Sequence, residues 1–171
     1  MDHKQNFSAL LAQVILPKVE MIAAVIAFIG FLFNRLKQPG ASEMVMIGLS
    51  TLAGVFFITA FIIPVTIEKG NQEETPKTFI DVLILSVWKV MHISLAVAII
   101  GLLFYLLHLE GFSQMMLIGT MSLVISLLLA GFLILQKDEY LVIFKTVISK
   151  ALMMAIIGSY ILFINWSLIT E

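Results

Sequence analysis

Long apolar runs broken by short polar connections set the pattern of the chain. The runs are roughly Pro17 to Leu36, Met44 to Ile67, Lys89 to His108, Met115 to Gln136 and Ala151 to Leu168. A bilayer core about 30 Å thick needs about 20 mainly apolar residues per spanning helix, and each run supplies them. The pattern predicts an all-α integral membrane protein with five transmembrane helices. A closed β-barrel is the other spanning solution, but the runs lack its apolar-out, polar-in alternation. Pro17 suits the first turn of a helix, where its missing N–H is not needed. Glu20 and Arg35 bracket the charge-free middle of the first run.

If the helices alternate, Lys4, Lys18, Lys69, Lys77, Lys89, Lys137, Lys145 and Lys150 fall on one side, and only Arg35 and Lys37 on the other. The positive-inside rule then places the N-terminus in the cytoplasm and Glu171 outside the inner membrane. Trp88 and Trp166 sit where interfacial anchors are expected. Ala9 to Leu16, Val82 to Trp88 and the stretch YLVIFKTVISK before the fifth span are expected to lie along the cytoplasmic surface. The N-terminal stretch lacks the charge order and small-residue site of a cleaved signal peptide, so the first span is expected to be retained.

A second regularity runs along the chain. AFIGFLFNRLKQPGASEMVMIG and AIIGLLFYLLHLEGFSQMMLIG align at a constant offset of 71, the difference between Lys89 and Lys18. Ala27 then meets Ala98, Gly30 Gly101, Phe33 Phe104, Leu36 Leu107, Gly40 Gly111, Ser42 Ser113, Met44 Met115 and Gly48 Gly119. This predicts a duplicated helical hairpin, residues 18–65 and 89–136, followed by a fifth helix over 141–168 within a single polytopic domain. The offset spans two helices, so the copies keep one topology and the repeat is parallel rather than inverted. AIIG returns at Ala155 to Gly158, which reads as a third, partial copy.

Composition sharpens the class more than the activity. Of 171 residues, 61% are hydrophobic and 12% charged, and with five spans to supply, a second, soluble domain within these residues is not expected. The formal net charge of -1, without basic residues interleaved with aromatics, gives no footprint for nucleic acid; the expected partners are the lipid bilayer and a second copy or another membrane protein. The absence of cysteine excludes disulfides and thiolate metal sites.

Gly30, Gly48, Gly54, Gly101, Gly119, Gly131 and Gly158 are expected to let helix backbones approach, either within the chain or between subunits. Pro39, Gly40 and Gly111 mark tight turns on the external side. Ionisable groups inside a membrane are the default functional candidates. Glu20 and His92 lie at nearly matching depth, so a Glu20–His92 or Glu20–Lys89 pair on neighbouring helices is the candidate intramembrane polar site; snorkelling to headgroups is the plainer reading. His3, His92 and His108 show no metal-ligand spacing, and no nucleophile elbow, zincin pair or phosphate-cradling loop appears. No enzymatic activity, metal or cofactor is expected, and the ten methionines read as conformable packing.

The stretch LFNRLKQPGASEMVMIGLSTLAGVFFITAF, Leu32 to Phe61, resembles the two-helix membrane hairpin of the GldL family, the proton-driven motor subunit of gliding motility and type 9 secretion in Bacteroidota. The likeness rests on Leu32, Phe33, Pro39-Gly40-Ala41, Met44, Ile47-Gly48-Leu49, Thr51, Ala53, Phe56-Phe57 and Ala60-Phe61, and extends loosely to the second hairpin through Gly111, Met115 and Gly119. It implies a cytoplasmic N-terminus and a periplasmic turn. It also implies a proton-carrying glutamate between Thr51 and Ala53, where this chain has Leu52; the second copy has Leu123. The family's lysine and histidine before the turn are replaced by Asn34 and Lys37, and its long cytoplasmic tail has given way to a second hairpin. Proton transit needs a group that alternates between charged and neutral forms, which leucine does not. The expected function is therefore a non-enzymatic scaffold or accessory subunit. The alternative is an ion or proton conductor using Glu20, His92 and Lys89.

Overall fold

The computed structural model describes residues 14–62, 79–136 and 139–165. Their regular structure consists of five helices: α1 (Leu16–Arg35), α2 (Ala41–Ala60), α3 (Phe79–Leu106), α4 (Phe112–Gln136) and α5 (Glu139–Ile164). All five are long and apolar enough to cross a membrane. His3, Lys4, Lys69, Lys77, Lys137 and Trp166 lie outside the described residues, as do the ends of the first hairpin beyond Ile62 and of the fifth segment beyond Asn165.

Pro17 occupies the first turn of α1, as its fixed φ favours. The helix then stops without glycine at the usual left-handed position. Lys37 takes φ 52°, and Gln38 N–H donates to Phe33 O at 2.9 Å while Lys37 N–H donates to Asn34 O at 3.2 Å. These are the paired bonds of a Schellman motif, which satisfy carbonyls left open at a helix end. Gly40, at φ 82°, then caps α2. The turn between α3 and α4 repeats this bond for bond. His108 takes φ 54°, Leu109 N–H donates to Phe104 O at 2.9 Å, His108 N–H to Tyr105 O at 3.2 Å, and Gly111 takes φ 81°.

Close approach of backbones holds each hairpin. A Cβ on Gly48 would lie 2.5 Å from Ala27 N, and one on Gly119 would lie 2.7 Å from Ala98 N. From the opposite helix, a Cβ on Gly30 would lie 2.7 Å from Val45 N, and one on Gly101 2.8 Å from Met116 N. In lipid, where apolar burial no longer drives helices together, such close packing supplies the attraction. Gly54 and Gly131 do not share this role: nothing lies within 4 Å of where their Cβ atoms would be. Both were expected at helix contacts, but each turns away from its neighbours.

The hairpins join through α3, which packs against α2, α4 and α5. Met91, Leu95 and Ala98 of α3 are fully buried or nearly so and join a core with Val45, Leu123, Leu133, Phe144 and Ala151. Two sequence expectations change here. Val82 to Trp88 does not form a separate surface segment, because α3 runs unbroken from Phe79 with Ile84 and Val87 in the core. The stretch before the fifth span is likewise the first part of α5, with Phe144 and Val147 buried in the same cluster. The apolar face that suggests surface binding is instead covered by a neighbouring helix.

Candidate functional site

Glu20, Lys150 and His92, ionisable groups of three different helices, meet toward one end of the bundle. Glu20 lies in the second turn of α1 and pairs through Oε1 with Lys150 Nζ of α5. Lys150 Nζ also sits 5.5 Å from the centroid of the Phe56 ring, near the end of α2. Near Phe56 lies His92 of α3, with ring centroids 6.4 Å apart. His92 is 2% exposed and donates from Nδ1 to Trp88 O at 2.9 Å; the bond to a carbonyl fixes the proton on Nδ1. The Trp88 ring is 4.3 Å from His92 and 6.3 Å from Phe144. α1, α2, α3 and α5 thus converge on one polar and aromatic cluster.

The cation that meets Glu20 is therefore Lys150, which the sequence contributed only to the tally of cytoplasmic-side cations. Lys89 is half-buried and forms no ion pair among the described residues. His92 shares the cluster with Glu20, through the Phe56 ring that both it and Lys150 approach, but forms no hydrogen bond or ion pair with Glu20. Trp88, expected as an interfacial anchor, turns inward: its Nε1 is buried with no hydrogen-bond partner.

Toward the other end, the ionisable residues Arg35, Lys37, Glu43, His108 and Glu110 are all exposed. Between the two levels the described helices carry no Asp, Glu, His, Lys or Arg: from Glu20 to Arg35 the chain climbs about 22 Å at 1.5 Å per residue without one. The buried polar side chains on the described helices are His92, Ser94, Thr120 and Ser126. The Ser126 hydroxyl donates to Ser122 O at 2.7 Å, so it serves its own helix. Thr120 Oγ1 has no hydrogen-bond partner and lies against Gly158, at the contact of α4 with α5. A Cβ on Gly158 would collide with it, so the Cα–H of Gly158 points at the hydroxyl, the geometry of a weak Cα–H···O contact.

Leu52 and Leu123 occupy the positions where the resemblance implies a proton carrier. Leu52 is partly buried and packs on the core, and Leu123 is 0% exposed. Among the described residues no group of three or more His, Cys, Asp or Glu is placed to hold a metal ion. Compared with family models, curated proteins and solved structures, the chain matches none.

Proposed function

We propose that this chain is a non-enzymatic inner-membrane protein, a scaffold or accessory subunit of a membrane complex, built from two copies of one helical hairpin and a fifth helix. The observation that carries the reading is that Leu123 lies in the core and Leu52 packs against it. A carboxylate at either place would have to enter an apolar interface, and an aliphatic side chain there stabilises helix contact without carrying charge. The duplication is supported by the two turns, whose donors, acceptors and positive-φ residues all correspond at the offset of 71, and by the reciprocal glycine contacts at 30 and 48 and at 101 and 119. The kinship with the gliding motor hairpin is supported by Leu32 to Phe61 alone. With the N-terminus in the cytoplasm, Lys150 and Lys89 face the inner leaflet and Glu171 the periplasm.

The test is purification of the full chain in mild detergent. A higher-order assembly or a defined co-purifying membrane protein is expected; a clean monomer without partner would overturn the scaffold reading. The convergence of Glu20, Lys150 and His92 favours a second reading, an ion or proton conductor. Proteoliposomes decide between them: flux that Glu20→Gln abolishes would establish conduction, and silence is expected of a scaffold.

A further inference from the structure

The Lys150 ammonium shows what kind of group the cluster holds. It rests on a carboxylate, Glu20, and over an aromatic ring, Phe56, the two surfaces that attract a positive charge in apolar surroundings. The wall continues through the rings of His92 and Trp88. The seat belongs to α1, α2 and α3, whereas the ammonium arrives on the flexible arm of α5. Its side chain is 37% exposed and that of Glu20 24%, so the seat opens to the surroundings. The helix sides beside it are apolar and exposed: Met21 follows Glu20 at 64%, and Met153, one turn beyond Lys150, is 65% exposed.

We propose that Glu20, Phe56, His92 and Trp88 form a binding site for an organic ammonium with an apolar body, and that Lys150 is its built-in occupant. The other simple ligand classes fit poorly. An inorganic or lipid phosphate would meet the Glu20 carboxylate, and a transition metal would find no ligand triad among the described residues. A lipophilic ammonium satisfies both halves: its charge replaces that of Lys150 on Glu20 and the Phe56 face, and its apolar part lies along the exposed methionines. Because Lys150 is tethered, it competes at high effective concentration, so the site of the intact protein is self-occupied and opens only when the arm swings out.

The experiment uses the full chain in neutral detergent with benzyltrimethylammonium, a quaternary probe that does not react with acylating reagents. Fluorescence is read from Trp88 in a Trp166→Phe background. Lys150→Met, which keeps the length of the arm and removes its charge, is expected to give a saturable change at probe concentrations at least about tenfold below those needed by the parent. Adding Glu20→Gln to that variant is expected to abolish the saturable component. A folded Lys150→Met variant that gives no saturable response, or a Glu20→Gln double variant that responds equally, overturns the proposal. Should Lys150→Met fail to fold, the parent protein decides by mass spectrometry: the probe must displace the Lys150 ammonium and raise its acylation relative to Lys145. Acylation of Lys150 that does not change with probe overturns the proposal as well.

Discussion

Gly48→Ala tests the close approach on which the hairpin architecture depends. The added methyl carbon would lie 2.5 Å from Ala27 N, 2.7 Å from Ala27 Cα and 2.9 Å from Ala27 Cβ, where ordinary contacts are 3.4 to 4 Å. The two nearest atoms are backbone, so no side-chain rotation relieves the clash and α1 must retreat from α2 by about 1 Å. Forcing a methyl into a packed interface costs about 1–3 kcal/mol. Replacing helical glycine by alanine returns about 1 kcal/mol, so the expected net loss is about 1 kcal/mol and at most about 2. Gly54→Ala supplies the matched control, because nothing lies within 4 Å of its new methyl. It keeps the helix gain without the clash and is expected to be neutral or stabilising by about 0.5–1 kcal/mol.

The two variants should therefore differ by about 2 kcal/mol, which is more than tenfold in the unfolding equilibrium. Helical circular dichroism followed through a dodecyl sulfate titration in mixed micelles measures that difference. Gly119→Ala, whose methyl would meet Ala98 N at 2.7 Å, is expected to behave like Gly48→Ala. Ala27→Gly should not rescue Gly48→Ala, since it leaves the obstructing backbone in place. Equal midpoints for Gly48→Ala and Gly54→Ala would refute the contact between α1 and α2, and rescue by Ala27→Gly would show that the side chain, not the backbone, sets the spacing.

Further outcomes follow from the same geometry. In a double-mutant cycle on Glu20→Gln and Lys150→Met, read in the same titration, a coupling of about 1 kcal/mol is expected, between the values of exposed and buried pairs, and additivity would show that the two charges do not interact. Gly40→Ala is expected to cost about 1 kcal/mol from its φ of 82° alone, since its Cβ would touch nothing, and an unchanged midpoint would place Gly40 outside the left-handed region. The chain has no cysteine, so single cysteines at Lys37 and Glu110 should react with an impermeant maleimide from outside spheroplasts while one at Lys145 should not; the reverse pattern would invert the proposed orientation.

What was legible in the sequence is what depends on local or periodic signals. The five spans follow from the length of the apolar runs, and Gly30, Gly48, Gly101 and Gly119 were legible as places of close backbone approach, though not their partners. A hairpin partner is close in sequence, so the two helices must pack along their length, and Gly48 and Gly119 meet the small Ala27 and Ala98 while Gly30 and Gly101 meet the backbone at Val45 and Met116. Gly54 and Gly131 show the limit of that reasoning. A glycine carries no label for the face it occupies, and on helices apolar all round only the completed packing separates an inward position from an outward one. The left-handed corners were obscured for a related reason: Lys37 and His108 adopt a conformation that glycine usually advertises, and Gly40 and Gly111, three residues later, drew the attention instead.

The ion pair was hidden by topology. Glu20 and Lys150 are 130 residues apart, and depth along the membrane is the sole property that the sequence assigns to both. Depth alone made Lys89 and His92 equally good partners for Glu20, because neither lateral order nor the rotation of α3 and α5 follows from hydropathy. In the folded chain α3 is central and turns Trp88 and His92 toward each other, while α5 lies close enough to α1 for Lys150 to span the gap over Phe56. An isolated half-buried carboxylate would be costly beside lipid, so the position of α5 and the tolerance of Glu20 are one problem with one solution. It follows that removing Lys150 should harm the protein more than removing both charges, because the single change strands Glu20 and the double change leaves nothing to neutralise. A Lys150→Met variant as stable as the Glu20→Gln/Lys150→Met pair would sever that link, leaving the approach of α5 to α1 to apolar packing alone.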